Sequence, residues 1–473
     1  MKAPIRFPLF SCIVFSFPFF VFLASCGGGG GSNPTPNPTP APTPSTANEW
    51  TWMGGSSTNG AVGVYGTLGT PAAANIPGGR YNAVGWADGS GNFWLFGGNG
   101  YASTSTQGLL NDVWEFSPTT KQWTWVSGSS TVGAMGNYGT LGVPAADNAP
   151  PGLAGAVSWT DISGNLWLFG GDGYAADGKQ GLLDDLWEFN PTTKMWTWMS
   201  GNGTENSAGV YGTMGMPAST NTPGGRDLAV SWIDSSGNLW LLGGYGIDTA
   251  EAQGPLNDFW EFSSTTREWT WVGGSYRVGA ESVYGTQGTP AADNRPGGRS
   301  EAVSWTDSSG NFWLFGGYGF VSNGTQDLLN DLWEFSPTTS EWTWIGGSTT
   351  GSAVGVYGTL GVPAAGNVPP GLAGAVSWID RSGNSWLFGG DFDALWEYNP
   401  TTKEWTWING SSAGGAAGVY GTLGAPSAAN VPGVRSSAAS WIDGSGNLWL
   451  FGGLGNDSNG SGGSLNDLWR YQP

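Results

Sequence analysis

The chain has 473 residues, among them 84 Gly, 29 Pro, 30 Trp and no His, and its formal net charge is -20 at pH 7. Nucleic acids and anionic membrane surfaces are held chiefly through Lys and Arg, so this charge excludes both as expected partners. The many tryptophans exclude a disordered chain as well, because disordered segments are poor in aromatic residues.

Side chains with reactive chemistry are scarce. The absence of His removes the commonest general base and metal ligand. The two cysteines, Cys12 and Cys26, lie near the N-terminus, so we expect no disulfide, thiol nucleophile or cysteine metal site in the rest of the chain. The sequence therefore predicts neither a metal site nor another cofactor.

Residues 1–25 have the pattern of a secretory signal, in which Lys2 and Arg6 precede a long apolar run. The ending Leu-Ala-Ser-Cys26 resembles the lipobox of bacterial lipoproteins, which implies cleavage before Cys26 and a lipid on its thiol. A membrane-spanning anchor is the alternative interpretation of the same apolar run. The lipoprotein interpretation places the protein in the bacterial cell envelope, facing the periplasm or the exterior, with the lipid as its only membrane contact.

Residues 26–48 contain five glycines and then alternating Pro and Thr or Asn, which predicts a linker. Proline-rich segments are extended at about 3.1 Å per residue, so this one would hold the body roughly 40 Å from a lipid surface. The segment serves either as a stalk or as an inert spacer.

The remainder of the chain, residues 49–473, is repetitive. The motif Trp-Thr-Trp recurs at intervals of 73 residues, with one final interval of 63, beginning at Trp50, Trp123, Trp196, Trp269, Trp342 and Trp405. A fixed period of this kind is typical of propellers, solenoids and arrays, in which each unit buries its apolar face against its neighbours. All 30 Trp fall at five positions of the repeat, so the repeat extends over all of residues 49–473.

Each repeat contains short aromatic and aliphatic runs bounded by Gly, Asn-Asp or Ser-Pro-Thr-Thr, which predicts four strands. In the fourth repeat these strands are 299–307, 311–315, 331–335 and 341–345. The links between the first and second strands and between the third and fourth are short, whereas the other two links are long. In an antiparallel meander the long links emerge at one end, so we expect any binding site on that face.

The succession of a strand ending in Gly-Gly, then Asn-Asp-Leu-Trp-Glu-Phe, then Pro-Thr-Thr and Trp resembles the kelch repeat. The resemblance covers residues 49–473 and implies an all-β, six-bladed propeller. The chain departs from the family in having no His in its first strands and in the length of the loops that join the repeats.

The chain ends complement each other. A fourth-strand motif at residues 49–53 precedes any first strand, and the last repeat stops after its third strand at Tyr471. We therefore expect the N-terminal strand to complete the last blade and to leave no exposed sheet edge.

Residues shared by all repeats are interpreted as structural. The Asn-Asp pairs, such as Asn330-Asp331, and the first-strand Asp, such as Asp307, are expected to form turn hydrogen bonds. The Tyr of each Tyr-Gly-Thr, such as Tyr284, is expected to anchor a long loop on a blade, with an aromatic ring for sugar stacking as the alternative.

An arginine opens the first strand in four repeats, whereas Leu153 and Leu372 occupy the position in the second and fifth. Arginine suits both packing between blades and bidentate binding of an anion. We therefore include in the candidate ligand site Arg80, Arg226, Arg299 and Arg435.

Functional sites in a repeat protein are best sought where the repeats differ. Near the first-strand starts the candidates are Tyr81, Asp227 and Glu301, and in the loop after the third repeat they are Tyr276, Arg277 and Glu281. The fifth repeat lacks ten residues between its second and third strands, which should leave a gap in the rim near Asp391 and Phe392.

We expect a monomeric, non-catalytic binding protein that presents its loop face to a protein or a glycan. The kelch resemblance also offers two enzyme classes. Galactose oxidase needs His ligands for copper, and the chain has none, whereas a sialic acid mutarotase would use Arg and Glu at the channel mouth to bind a carboxylated sugar and move a proton. A purely structural role in the cell envelope is the third alternative.

Overall fold

The computed structural model describes residues 47–473. The expected signal peptide, Cys26 and nearly all of the linker lie outside this range. The described residues form strands, turns and loops, and among them no helix is long and apolar enough to cross a membrane. The fold is therefore all-β, as the sequence predicts.

The strands of the N-terminal segment and the first two repeats are β1 Glu49–Gly54, β2 Arg80–Tyr81, β3 Val84–Ala87, β4 Phe93–Phe96, β5 Asn99–Tyr101, β6 Gln107–Leu109, β7 Val113–Ser117, β8 Gln122–Ser127, β9 Leu153–Ala154, β10 Val157–Thr160, β11 Leu166–Phe169, β12 Asp172–Tyr174, β13 Gln180–Leu182, β14 Leu186–Asn190 and β15 Met195–Ser200.

Those of the third and fourth repeats are β16 Arg226–Asp227, β17 Val230–Ile233, β18 Leu239–Ile247, β19 Gln253–Phe262, β20 Trp269–Gly273, β21 Arg299–Ser300, β22 Val303–Thr306, β23 Phe312–Phe320, β24 Gln326–Ser336 and β25 Glu341–Gly346. Those of the last two are β26 Ala375–Ile379, β27 Ser385–Gly389, β28 Leu395–Asn399, β29 Glu404–Asn409, β30 Arg435–Ser436, β31 Ala439–Ile442, β32 Leu448–Asn456 and β33 Gly462–Gln472.

Each repeat folds into an antiparallel meander of four principal strands. The strand orders are β3-β4-β7-β8, β10-β11-β14-β15, β17-β18-β19-β20, β22-β23-β24-β25, β26-β27-β28-β29 and β31-β32-β33-β1. These small sheets are consistent with a propeller. In the last of them the N-terminal strand β1 pairs with β33, with Trp50 opposite Tyr471 and Trp52 opposite Trp469.

The hydrophobic cores lie between neighbouring sheets. One cluster joins Trp86 and Phe96 of the first repeat to Leu168 and Trp187 of the second. Another joins the first repeat to Trp441 of the sixth. Each sheet thus buries both faces against its neighbours, which is why the second strands are uninterrupted apolar runs rather than alternating ones.

The predicted first strand, residues 299–307, is wrong in one respect. It is split into β21 and β22 because Glu301 has a left-handed backbone with φ of 58°. Asn82, Leu228 and Ser437 break the same strand in their repeats, with φ of 53°, 53° and 56°. At each break the backbone changes direction, and this change occurs where the first strand contacts the neighbouring repeat.

The predicted long loop between the second and third strands is also wrong for most repeats. In the fourth repeat β23 and β24 continue past a register shift near Gly317 and pair as far as Phe320 and Gln326. The residues assigned to loops therefore form a hairpin that extends the sheet. The shortened fifth repeat has no such hairpin, because β27 ends at Gly389 and β28 begins at Leu395.

The long loops between repeats cover the outer edges of the sheets. In the first such loop, Ala72 forms a β-bridge with Trp123 on β8, and in the last, Ser427 forms one with Trp50 on β1. An uncovered edge strand would offer unpaired N–H and C=O groups to another chain. Edge protection therefore accounts for the unusual length of these loops.

Candidate functional site

The four repeated arginines lie inside the sheets. Arg80 is 1% exposed, and its Nη1 and Nη2 donate to Asp112 Oδ1 and Oδ2 at 2.7 and 2.9 Å. The same guanidinium donates to the carbonyls of Gly78 and Gly97. Equivalent bidentate ion pairs join Arg226 to Asp258, Arg299 to Asp331, and Arg435 to Asp467.

These contacts remove the arginines from the predicted ligand site. A guanidinium buried in a bidentate pair and bonded to two carbonyls has four of its five N–H donors occupied. No ligand reaches it without opening the sheet. We therefore leave Arg80, Arg226, Arg299 and Arg435 out of the candidate site.

The shared tyrosines are anchors, and this prediction is confirmed. Tyr65 is buried and its hydroxyl donates to Asp112 at 2.7 Å, so the loop is tied to the same carboxylate as Arg80. Burial and the neighbouring Asp112 raise the pKa of Tyr65. The hydroxyls of Tyr211, Tyr284 and Tyr420 bind the corresponding aspartates.

The turn roles of the other shared polar residues are confirmed as well. Asp307 Oδ1 accepts the backbone N–H groups of Ser309 and Asn311, and its Oδ2 accepts Trp313 Nε1. Asn330 donates to the Pro369 carbonyl and accepts the N–H of Ser348. These groups leave little capacity for a ligand.

A ring of six residues surrounds a cavity of about 230 Å³ where the first strands start. Each member donates its backbone N–H to the carbonyl of the member in the preceding repeat, and the first donates to the last. The bonds run from Asn82 to Ser437 (2.9 Å), Gly155 to Asn82 (2.9 Å), Leu228 to Gly155 (2.7 Å), Glu301 to Leu228 (3.0 Å), Gly374 to Glu301 (2.9 Å) and Ser437 to Gly374 (2.7 Å). We call this ring and its cavity the mouth.

Two acidic side chains lie next to the two glycines of the ring. A Cβ on Gly155 would lie 3.2 Å from Asp227 Cβ, and one on Gly374 would lie 3.2 Å from Glu301 Oε2. The second and fifth repeats thus provide room for side chains from the third and fourth. This brings together two of the residues that the sequence singled out, Asp227 and Glu301.

The mouth is electrostatically negative. Burial, and then the nearby Asp172 and Glu301, raise the pKa of Asp227 to about 7, and its Oδ1 is buried without a hydrogen-bond partner among the described residues. Burial and Asp391 raise the pKa of Glu301. All residues that line the mouth cavity are small, apolar or uncharged except Glu301. The site therefore favours a ligand that is neutral or cationic over an anionic one.

Aromatic side chains flank these carboxylates. Tyr245 lies directly opposite Asp227 in the β16–β18 pair and is 37% exposed. Tyr318 lies opposite Ser300 in the β21–β23 pair and is 42% exposed. Directly opposite residues share one face of a sheet, so Tyr245 stands beside Asp227 and Tyr318 beside Ser300, each one residue away from a member of the ring. Tyr81 occupies the equivalent rim of the first repeat, opposite Asn99.

The candidates from the loop between the third and fourth repeats lie away from the mouth. Tyr276 packs against Tyr211 and Trp271, and Arg277 lies 3.6 Å from Asp248. None of Tyr276, Arg277 and Glu281 lines the mouth, and Glu281 lines a separate cavity between the third and fourth repeats. The structure thus divides the predicted site in two.

Comparison with known proteins assigns no family. A scan against protein-family models finds no match, and a search of curated proteins finds none. The kelch resemblance therefore rests on the motifs of this sequence.

Tyr245 and Tyr318 are not among the residues predicted from the sequence, because the pattern after Gly-Gly predicts a loop there. A signal was present, since only the third and fourth repeats have Tyr after Gly-Gly, whereas the others have Asn99, Asp172, Asp391 and Leu454. These are also the repeats that supply Asp227 and Glu301.

Proposed function

We propose that this protein is a lipid-anchored, non-catalytic binding protein whose body is a six-bladed, kelch-type propeller. The six four-stranded sheets would be its blades, and β1 would close the ring by completing the last blade. Neighbouring inner strands support this arrangement, because β3 contacts both β10 and β31. The cyclic hydrogen bonds of the mouth, which return from Ser437 to Asn82, support it independently.

The ligand is a glycan without acidic groups, held at the mouth. The observation that carries this proposal is that the exposed Tyr245 and Tyr318 lie opposite Asp227 and Ser300, next to the ring that contains Glu301. Aromatic rings stack on the apolar faces of sugars, and carboxylates accept hydrogen bonds from sugar hydroxyls. The Glu301 carboxylate, which lines the mouth cavity, is the acceptor for such a hydroxyl.

This proposal favours binding over the mutarotase alternative. A sialic acid carries a carboxylate, and its recognition calls for a cation such as an arginine. The four candidate arginines are buried in ion pairs, and the mouth offers carboxylates instead. A carboxylated sugar would meet repulsion here.

The membrane attachment belongs to the same proposal. Lipid on Cys26 and the proline-rich linker would hold the body away from the envelope surface, with the long-loop face free to meet envelope polysaccharide. The lipid would serve as the anchor, while the propeller body makes the specific contact.

The test is binding of the purified body, residues 47–473, to a glycan array that includes neutral, amino and sialylated sugars. Neutral or amino glycans should bind, and Tyr245→Ala and Tyr318→Ala should each weaken binding at least tenfold, about 1.4 kcal/mol. Tyr276→Ala is the matched control, because it removes an exposed tyrosine away from the mouth. Selective binding of sialylated glycans, or unchanged affinity in both mouth variants, would contradict the proposal. Capture of an envelope protein without any glycan would favour the protein-ligand alternative.

A further inference from the structure

A cavity lies between the third and fourth repeats, under the loop that joins them. Its volume is about 710 Å³, within the range of small-molecule sites. Its apolar wall includes Val272, Phe335 and Trp342, and its rim includes Glu281 and Arg295. The cavity is separate from the mouth, so a ligand bound in it would be independent of the proposed function.

The boundary between the fourth and fifth repeats contains a smaller cavity at the equivalent position, which allows a direct comparison. There the volume is about 320 Å³, and the equivalent wall residues include Ile345, Tyr398 and Trp405. The rim positions equivalent to Glu281 and Arg295 hold Val354 and Val368. The repeat architecture alone therefore provides a small cleft, and the larger cavity has gained a carboxylate and a guanidinium at two rim positions that are Val in the smaller one.

One further substitution widens the larger cavity. Ser340 lies in its wall, whereas the smaller cavity has Lys403 at the equivalent position. The first three repeats also have a long cation there, namely Lys121, Lys194 and Arg267. Ser340 has φ of 57° and Lys403 has φ of 59°, so the backbone is the same and only the side chain is shorter.

Glu281 and Arg295 lie on the same loop, and both line this cavity. Val283 and Arg295 exchange backbone hydrogen bonds at 2.9 and 3.0 Å, which places Arg295 opposite Val283 and diagonal to Glu281. Diagonal neighbours are about 7–8 Å apart at their backbones, a span that a small ligand can bridge. No ion pair within 4.0 Å joins Glu281 to Arg295 in the described chain, and both side chains are exposed. Arg295 Nη1 donates to the carbonyl of Asp293 at 3.3 Å, and the other N–H groups of the guanidinium and the Glu281 carboxylate remain open to a ligand.

We propose that this cavity binds a short zwitterionic peptide that has an apolar side chain. The peptide ammonium would pair with Glu281, and its carboxylate would receive the Arg295 guanidinium in a bidentate bond. The apolar side chain would rest against Val272, Phe335 and Trp342. A sugar would not use the apolar wall, and a simple anion or cation would use only one of the two charges.

The test is calorimetric titration of residues 47–473 with the dipeptide Leu-Phe at pH 7. Saturable binding is expected, and the N-acetylated and C-amidated dipeptides should each bind at least tenfold more weakly. Glu281→Val and Arg295→Val restore the residue type of the neighbouring loop, so they should fold normally. Glu281→Val should abolish the preference for a free ammonium, and Arg295→Val the preference for a free carboxylate.

Ser340→Lys gives the blocking variant, since lysine is already accommodated at this backbone conformation in the fifth repeat. It should reduce Leu-Phe binding at least tenfold while leaving the melting temperature unchanged, and Tyr245→Ala should leave Leu-Phe binding unaltered. The proposal is overturned if Leu-Phe shows no saturable binding in the millimolar range. It is also overturned if binding persists at full strength in Ser340→Lys or ignores both capping changes.

Discussion

Replacing Leu153 by Arg should stabilise the protein at neutral pH, because the second repeat has kept a buried carboxylate without its cation. In four repeats Arg and Asp form a buried pair, and in the fifth both are gone, replaced by Leu372 and Ala394. The second repeat has Leu153 but retains Asp185, which is 2% exposed, next to the equally buried Asp184. Asp185 accepts Tyr138 Oη and the N–H of Gly203, and Trp187 Nε1 is left without a partner among the described residues.

The magnitude follows from the shifted pKa values. Burial raises the pKa of Asp185 from 3.8 to about 6, and burial together with Asp185 raises that of Asp184 to about 7. The folded state therefore binds more protons than the unfolded state between pH 4 and 7, so stability falls as pH rises through this window. About two pKa units at Asp185 correspond to roughly 3 kcal/mol.

Arginine at position 153 would place its guanidinium beside Asp185 as Arg80 is placed beside Asp112. The carbonyls of Pro151 and Gly170 occupy the positions of the two carbonyls that bind Arg80. The new pair should lower the pKa of Asp185 and remove its part of the pH dependence. The gain from Leu153→Arg should therefore be about 3 kcal/mol larger at pH 7 than at pH 4.

The assay is urea unfolding followed by tryptophan fluorescence at several pH values between 4 and 7. Leu372→Arg is the matched control, because Ala394 offers it no carboxylate. It should destabilise by about 3–5 kcal/mol at every pH. Adding Ala394→Asp should restore most of the loss. If Leu153→Arg destabilises at pH 7 as much as Leu372→Arg does, or leaves the pH slope unchanged, the reasoning about the unpaired carboxylate fails.

Two further predictions concern the ends of the chain. Cys26→Ser should move the full-length protein out of the membrane fraction, and a variant that stays bound would contradict the lipobox interpretation. Removing residues 1–53 should lower the melting temperature of the body markedly relative to removing residues 1–47. The longer deletion removes β1, the partner strand of β33, and exposes Trp469 and Tyr471. Loss of the 1%-exposed Trp50 alone costs about 4–6 kcal/mol of burial at ~25 cal/mol per Å². Identical melting of the two truncated proteins would mean that β1 contributes nothing.

The strand positions could be predicted from the sequence because each strand carries its own signal. The apolar runs at Phe312 and Trp342 are short, rich in aromatic residues and bounded by turn residues, and both lie in strands. The break at Glu301 carries no local signal. It depends on a hydrogen bond from Glu301 N–H to the carbonyl of Leu228, 73 residues earlier in the chain, and that bond exists only once two repeats meet.

The arginines show the same limit at the level of the site. An arginine at the start of a strand near a loop face suggests a ligand, and nothing within its own strand says otherwise. Its partner lies 32 residues later, as Asp112 does for Arg80. Comparison of the repeats does indicate the pairing, because the fifth repeat lacks both the arginine and the aspartate.

Differences between repeats therefore need a second criterion before they indicate function. Leu242 is the single Leu where five repeats have Phe, and its cross-strand partner Phe259 is the single Phe where the others have Val or Leu. Both side chains are at most 3% exposed, and Phe259 still reaches Trp342 of the next repeat at 5.7 Å between ring centroids. The exchange conserves core volume, which cores tolerate well. Tyr245 and Tyr318 differ from their counterparts and are exposed next to the ring of the mouth, so packing does not account for them. For that reason we propose the mouth as the binding site.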